Sequence, residues 1–504
     1  MRNAGILMSI GSLPSNYGIG DFGKESYEFV DLIAQAGMDI WQILPMNPLG
    51  YGNSPYQPYS SYAGDELYIS LDELVKEGLL DKKLMSSPEV KAYVKEMKHA
   101  KKVDYVKVRE FKETFLMEAF HNFKPTKEYN TFIKNNDWVN VYSVFIALKK
   151  QNDLICWNEW PEEQKNWIKD HKYDISHLEE SIKFELFIQF QFSKQWMKLK
   201  KYANKNGIKI MGDIPFYVGI DSQDVWQNQE NFLLDADGKP TFIAGVPPDY
   251  FSETGQRWGN PIYDWDYLQK TDYDFWIKRL AYCDKMYDIV RIDHFRAFDT
   301  YWKIPASCPT AVEGDWIEAP GFDMFDKVYE KLPKIKVVVE DLGEIRQECH
   351  ELRDHFKLKG MKILQFTFDP LEENNDFVDR QNMITYTGTH DNQTVRGWYR
   401  GQSKRIQRAT RKELEKEGYT HRDISWCFIE MCYSSVANMA IVPMWDFLNL
   451  DDEHGRMNVP GTLGSPNWEW KIDSFKNFKK RVPEINALIS RCKKIRHKKT
   501  IDMM

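Results

Sequence analysis

The feature that most constrains the fold of this chain is a set of three short apolar runs, each of which carries a carboxylate at its far end. The runs are rich in β-branched residues and are followed by turn or helix signals, so each predicts a buried strand. The acids, about fifty residues apart, fit one strand–helix unit each in a (β/α) barrel, which places catalytic groups at the C-terminal ends of its strands. We therefore expect the acids to converge on one pocket. They are Asp293, Glu340 and Asp391.

The wider pattern of buried runs alternating with helical stretches predicts an α/β fold with a parallel sheet. Eight runs are candidate strands, the number that a closed (β/α)8 TIM barrel needs. They are residues 5–13, 39–45, 208–215, 288–295, 336–342, 362–368, 383–390 and 438–446.

The long interval between the second and third candidate strands requires an insertion, since it far exceeds an ordinary βα loop. Its Lys/Glu-rich patterns have a helical period, so we expect the insertion to be mostly helical. A later Gly/Pro/Asp-rich and aromatic segment is typical of an active-site loop. The expected organisation is a barrel of residues 1–50 and 180–504, an inserted helical subdomain at 51–179, and a lid loop at 216–264.

Charge and cysteine content limit the class of protein. The formal net charge of −7 gives no polybasic signature, which argues against nucleic acid or anionic lipid as partners. Seven scattered cysteines without a C-x-x-C pair indicate a reduced compartment and neither a disulfide framework nor a zinc site. The apolar start predicts a first strand rather than a signal peptide. We expect a cytoplasmic monomer or homodimer with no cofactor, no metal and no membrane partner.

Aromatic residues are abundant in loops where no core is expected. Most aromatic side chains in any chain are core residues, but these lie among Gly, Pro and Asn. Aromatic faces in loops suit flat apolar ligand faces such as sugar rings. One group is Tyr51, Tyr56, Tyr59 and Tyr62, and the other is Tyr250, Phe251, Trp258 and Tyr263.

The tripeptide Arg291-Ile292-Asp293 predicts a charged pair, because residues i and i+2 of a strand face the same side. A guanidinium beside a carboxylate favours the ionised form of the acid. An ionised, oriented carboxylate is what a glycosidase nucleophile requires. The alternative is a structural Arg–Asp pair in the barrel interior, and the tripeptide alone does not separate the two.

Glu340 leaves an apolar strand close to another carboxylate, and both conditions raise a carboxyl pKa. Such a group can protonate a leaving oxygen near neutral pH, although a structural role is the alternative. Asp391 is a candidate third carboxylate, and the neighbouring His390 could donate to the same sugar ring. Metal binding by these groups is the other possibility, but the chain has no H-E-x-x-H motif and no ligand cluster.

Taken together, these residues resemble the conserved-region pattern of the α-amylase clan of retaining glycosidases and transglycosidases. Further segments narrow the resemblance to one branch, the 4-α-glucanotransferases (amylomaltases or disproportionating enzymes) of glycoside hydrolase family 77. The matching segments follow one another along nearly the whole barrel. They are residues 9–21, 51–60, 212–218, 245–252, 255–261, 458–462 and 467–468.

The resemblance implies a role for each acid. Asp293 would be the nucleophile that forms a covalent β-glucosyl intermediate, Glu340 the acid and then the base, and Asp391 the group that stabilises the oxocarbenium-like transition state. The implied ring-binding set around the cleaved glucose is Tyr59, Asp213, Arg291, His390 and Asn392. Further contacts are implied on the donor side and in a lid over the acceptor side, at Asp369 and at Asp249, Gln256 and Trp258 respectively.

The expected activity is transfer of a 1,4-α-glucan segment to the 4-hydroxyl of an acceptor glucose or glucan. Transfer is favoured over hydrolysis when an acceptor sugar is held well and water is excluded, and the aromatic loop at 245–261 suits both tasks. The expected partners are malto-oligosaccharides and α-1,4-glucans. Two rival hypotheses are an α-glucan hydrolase of the same clan and a non-catalytic glucan-binding protein.

Overall fold

The computed structural model describes residues 3–248, 252–368, 370–371 and 380–501. Its strands are β1 (Asn3–Leu7), β2 (Ile40–Gln42), β3 (Lys209–Ile214), β4 (Phe242–Val246), β5 (Gln256–Pro261), β6 (Ile289–Ile292), β7 (Thr300–Pro305), β8 (Asp315–Glu318), β9 (Val337–Val339), β10 (Gly360–Ile363), β11 (Met383–Tyr386) and β12 (Met439–Pro443).

Eight of these strands form one parallel sheet in the order β10-β11-β12-β1-β2-β3-β6-β9. The two outer strands meet, because the Val339 N–H donates to the Lys359 carbonyl at 2.9 Å and Val338 bridges Lys359 in parallel. A parallel sheet that closes on itself, with helices in its connections, is a (β/α)8 barrel. The predicted fold class is confirmed.

The helices before β3 are α1 (Lys24–Gln35), α2 (Leu71–Lys76), α3 (Pro88–Met97), α4 (Tyr105–Asn122), α5 (Lys127–Lys134), α6 (Asp137–Gln151), α7 (Glu162–Lys165), α8 (Trp167–Asp170) and α9 (Glu179–Lys205). Those that follow are α10 (Gln223–Gln227), α11 (Trp265–Lys270), α12 (Asp274–Met286), α13 (Gly321–Lys331), α14 (Gln347–His355), α15 (Leu364–Thr367), α16 (Val395–Gly401), α17 (Lys404–Lys416), α18 (Ile424–Ser434), α19 (Met444–Phe447), α20 (Asp452–Gly455) and α21 (Lys476–Ile501). No helix within the described ranges is both long and apolar enough to cross a membrane.

The barrel strands are shorter than the apolar runs that predicted them. The expected strand at 5–13 is wrong beyond Leu7, where residues 10–12 form a 3₁₀ turn. The expected strand at 362–368 ends at Ile363 and continues as α15. The residues beyond these ends, such as Ile10 and Leu364, are still buried. Hydropathy therefore does not distinguish a strand from the buried turn that follows it.

The predicted insertion between β2 and β3 is helical and packs tightly on the barrel. Lys112 of α4 is fully buried and pairs with Asp21, which precedes the insertion, at 3.3 Å. Within the insertion it donates to the carbonyls of Leu67 and Ile69 at 2.6 and 2.9 Å. Phe115 of α4 belongs to the same buried hydrophobic cluster as the barrel strands. Residues 51–179 as a subdomain of their own stay a prediction.

A second, four-stranded antiparallel sheet lies beside the barrel, in the order β5-β4-β7-β8. Two of its strands, β4 and β5, come from the segment 216–264 that we expected to be a lid loop. The Gly- and Pro-rich composition of this segment does not predict the two strands, because such residues usually mark turns. The action of this segment as a lid stays a prediction.

Candidate active site

The three acids follow the C-terminal ends of barrel strands. Asp293 comes directly after β6 and Glu340 directly after β9, while Asp391 lies in the loop after β11. The backbone ladder reaches one residue further, since the Asp293 N–H donates to the Ile214 carbonyl and the Glu340 N–H to the Ile292 carbonyl, both at 2.9 Å. The first two acids are therefore held by the rigid sheet at the barrel mouth.

Arg291 links two carboxylates. The register of β3 and β6 sets Asp213 directly opposite Arg291, and Arg291 Nη1 donates to both Asp213 oxygens at 2.6 and 2.7 Å. Arg291 Nη2 lies 2.9 Å from Asp293 Oδ1. Burial raises the pKa of Asp213, although Arg291 opposes this shift. The guanidinium is thus fixed on the buried Asp213 side chain and presents its second nitrogen to Asp293, as the sequence predicted.

Glu340 is held by two backbone amides. Its Oε2 accepts from the His294 N–H at 2.9 Å and its Oε1 from the Leu342 N–H at 3.0 Å. His294 has a left-handed backbone with φ of 53°. Burial and the negative charge of Asp293 raise the pKa of Glu340 to about 8, against the opposing influence of Arg291. Glu340 therefore carries a proton at neutral pH.

Asp391 has the opposite electrostatic setting. Burial raises its pKa, but His390, the Asn458 amide and Arg291 outweigh burial and lower the pKa to about 2. Its Oδ1 accepts from Asn458 Nδ2 at 2.7 Å, and His390 Nε2 lies 3.3 Å from its Oδ2. Asp391 is thus ionised at neutral pH. The buried His390 Nδ1 has no hydrogen-bond partner within the described ranges, which leaves it available to a ligand hydroxyl.

The tyrosine that the structure places among these groups is Tyr56, not Tyr59. Tyr56 donates its hydroxyl to Asp213 Oδ2 at 3.0 Å and stacks on the His390 ring at 5.1 Å. Tyr59 instead lies under Lys149, whose Nζ is 4.8 Å from the ring centroid, and burial and the Asp221 carboxylate raise its pKa. The ring-binding role expected of Tyr59 stays a prediction, and Tyr56 is the tyrosine that contacts Asp213 and His390.

The other predicted binding residues are only partly brought together. Trp258 packs edge-on against His294 with ring centroids 4.9 Å apart, and its Nε1 donates to Gln256 Oε1 at 3.2 Å. Asn392 lies beside Asp391, but its amide oxygen accepts from the Thr389 N–H and hydroxyl within the loop. Two predicted contacts, Asp249 and Asp369, lie outside the described residues, as do Tyr250 and Phe251.

Three further residues reach the site without having been assigned to it from the sequence. They are His294, Asn458 and Trp468; the last packs near both Tyr56 and His390, with centroids 5.6 and 5.8 Å apart. The signal for Asn458 and Trp468 was their presence in the matching segments 458–462 and 467–468. The only signal for His294 was its position next to the candidate nucleophile Asp293.

Comparisons with known proteins identify the family of the chain. The family model for 4-alpha-glucanotransferase matches residues 8–476. The 4-alpha-glucanotransferase of Streptococcus pneumoniae serotype 4 is 42% identical over 483 residues, 94% of this chain and 93% of the relative. That of Clostridium butyricum is 41% identical over 503 residues, 96% of this chain and 100% of the relative.

Among solved structures, the amylomaltase from Streptococcus agalactiae in complex with acarbose has a TM-score of 0.89 and 35% identity to this chain. The match covers 97% of this chain and 99% of that protein. Sequence and structure therefore agree over almost the full length. The chain belongs to the 4-alpha-glucanotransferase family, glycoside hydrolase family 77.

Proposed function

We propose that the chain transfers a segment of a 1,4-α-D-glucan to the 4-hydroxyl of an acceptor glucose or glucan by a retaining double displacement. The observation that carries this proposal is the contrast between two neighbouring acids. Asp293 is paired with Arg291 at 2.9 Å, whereas the pKa of Glu340 is raised to about 8 by burial and by Asp293. A retaining mechanism divides its two acids in this way, into a nucleophile and a proton donor.

In the first displacement, an Asp293 oxygen attacks the anomeric carbon of the donor glucan. The bond from that carbon to the glycosidic oxygen breaks, and the Glu340 proton moves to the leaving 4-oxygen. In the second displacement, the acceptor 4-hydroxyl attacks the same carbon, its proton moves to Glu340, and Asp293 is released. Each step inverts the anomeric carbon, so the product keeps the α configuration.

The remaining groups bind and stabilise the reacting ring. Asp391, ionised beside His390, accepts hydrogen bonds from sugar hydroxyls that strengthen as the ring distorts. We assign ring contacts to the groups around it, with Tyr56 in the place first expected for Tyr59. The full set is Tyr56, Asp213, Arg291, His390 and Asn392, with Asp369 as a further donor-side candidate.

Transfer rather than hydrolysis depends on the acceptor side of the site. Trp258 lies against His294, the residue next to the nucleophile, so an acceptor sugar on its ring would be close to the intermediate. Gln256 holds the Trp258 indole by a hydrogen bond. Asp249 completes the proposed lid. A filled acceptor site leaves little room for water, which favours transfer.

The donors that fit this chemistry are malto-oligosaccharides and the linear 1,4-α segments of starch or glycogen. We place the protein in the cytoplasm, because all seven cysteines are free thiols and five of them are buried. A monomer or a homodimer is expected, as at the outset.

The test is incubation of the pure protein with maltotriose alone, with products resolved by chain length. Release of glucose together with a ladder of oligosaccharides longer than maltotriose is the expected result. Glucose and maltose with nothing longer would identify a hydrolase, and no products at all would support a binding protein.

A further inference from the structure

The loop that carries His390 and Asp391 is held at both ends by one buried carboxylate outside the catalytic cluster. We propose that Asp446 is a positioning residue for the transfer reaction, which fixes the loop 387–395 so that Asp391 meets the sugar in its reactive orientation. The inference rests on the proposed role of Asp391 in the transition state. It adds Asp446, which follows β12, to the residues that support this role of Asp391.

The contacts of Asp446 define the clamp. Asp446 lies in α19, directly after β12, and its side chain is buried. Its Oδ2 accepts from the Thr387 hydroxyl at 2.6 Å and its Oδ1 from the Val395 N–H at 2.9 Å. Thr387 is the first residue after β11 and Val395 the first of α16. The two bonds therefore join the start and the end of the loop to one rigid point.

The interior of the loop is fixed by its own hydrogen bonds. Asn392 Oδ1 accepts from the Thr389 N–H at 2.8 Å and from its hydroxyl at 2.9 Å. A loop that is stiff inside moves as a body, so its end points, together with the hydrogen bond from Asn458 to Asp391, set where Asp391 lies. Thr387 and Val395 are fully buried, and water has no easy access to replace a lost partner.

A second carboxylate supports the same end of the loop. Asp452 accepts from the Thr394 N–H at 2.8 Å and from Gln393 Nε2 at 2.6 Å. Asp452 lies close to the backbone of α16 at Gly397, since a Cβ on Gly397 would lie 2.3 Å from Asp452 Cγ. The Asp452 side chain is 27% exposed, however, and it contacts only the C-terminal end. Asp446 alone spans both ends among the described contacts.

The clamp depends on geometry rather than on charge. Burial raises the pKa of Asp446 to about 7, but a protonated Oδ2 would donate to the Thr387 oxygen while Oδ1 still accepts from Val395. Asp446→Asn offers the same pattern, with its NH2 group facing Thr387. This variant is therefore expected to keep the loop in place.

The decisive experiment compares two buried threonines of the same chain segment. Thr387→Val removes the hydroxyl that reaches Asp446 and keeps the side-chain shape. Thr385→Val is the matched control, since Thr385 is also fully buried and its hydroxyl accepts from Ser435 Oγ at 3.2 Å. The measurements are kcat and KM for maltotriose disproportionation, and the melting temperature of each variant.

We expect Thr387→Val to lower kcat about tenfold or more, because a small misplacement of a catalytic group is costly. KM should change by less than about twofold, since the loss concerns a contact made in the transition state. Thr387→Ser should restore kcat, and Thr385→Val should leave it near the wild-type value. This split between kcat and KM, at similar melting temperatures, is not produced by general loosening of the fold.

Equal kcat values for the two valine variants would overturn the proposal, as would a rise in KM with unchanged kcat. If Thr387→Val fails to fold, Asp446→Asn and Asp446→Ser form the second pair. The first should keep most of the activity and the second, too short to reach Thr387, should lose it; equal activities would overturn the proposal. A product ladder made by the wild-type protein tests the proposed transferase activity separately from the clamp. If the ladder is found and Thr387→Val has no effect on kcat, only the clamp is refuted.

Discussion

The choice between Tyr56 and Tyr59 gives the sharpest single test of the site geometry. Tyr56→Phe removes only the hydroxyl that donates to Asp213 Oδ2 at 3.0 Å. Tyr59→Phe removes a hydroxyl from a ring that lies beside Lys149, and it is the matched control from the same loop. The two variants differ in position but not in chemistry. Their comparison therefore reports which ring belongs to the site.

The size of the loss expected for Tyr56→Phe depends on the other hydrogen-bond partners of Asp213. A hydrogen bond to a charged group is worth about 1.5–3 kcal/mol when its removal leaves the charge buried. Asp213 is fully buried, but Arg291 still donates to both of its oxygens. We therefore expect the lower end of the range for Tyr56→Phe. About 1.5 kcal/mol corresponds to about a tenfold loss in kcat/KM.

The assay is the initial rate of glucose release from maltotriose over a range of substrate concentrations. Tyr56→Phe should lose about tenfold in kcat/KM, and Tyr59→Phe should stay within about twofold of the wild type. Both variants should keep the melting temperature of the wild type within a few degrees. A larger loss for Tyr59→Phe than for Tyr56→Phe would refute the reasoning.

Three further predictions follow from charge and burial. Asp293→Asn should abolish turnover while leaving glucan binding measurable by calorimetry; retained turnover would remove Asp293 as the nucleophile. The kcat/KM of the wild type should fall as pH rises through about 8, because Glu340, with its raised pKa, must hold its proton to release the leaving sugar; a flat profile to pH about 10 would contradict this. Lys112→Ala should lower the free energy of unfolding in urea by about 3–5 kcal/mol, because Asp21 is left buried without its partner. The exposed Lys107→Ala, which only loses Glu96, should cost less than about 1 kcal/mol, and equal losses would show that burial of the pair is unimportant.

The barrel and its acids could be predicted from the sequence because their signals are local. Asp293 and Glu340 each follow an apolar run directly, and parallel strands bring their C-terminal ends to one end of the barrel. The i, i+2 rule likewise predicted that Arg291 and Asp293 share a side, and they meet at 2.9 Å. The strand ends could not be predicted, because residues beyond the ladder are buried as well.

The contacts between distant loops could not be predicted in this way. Tyr56, Tyr59 and Tyr62 are spaced three apart in an irregular loop, where no period assigns a side chain to a face. Asn458 lies 67 residues from Asp391, and nothing local marks the hydrogen bond between them. Sequence patterns report backbone periodicity, whereas these contacts depend on how loops fold back over the barrel mouth.

The most direct test of the account is to trap the covalent intermediate on Asp293. Glu340→Gln should still react with an α-glucosyl donor that carries a fluoride leaving group, since fluoride leaves without a proton. The second displacement should stall, because the acceptor has no base. Mass spectrometry of digested protein should then find a glycosyl adduct on the peptide that contains Asp293. An adduct on another residue, or donor turnover with no adduct at all, would contradict the proposed double displacement.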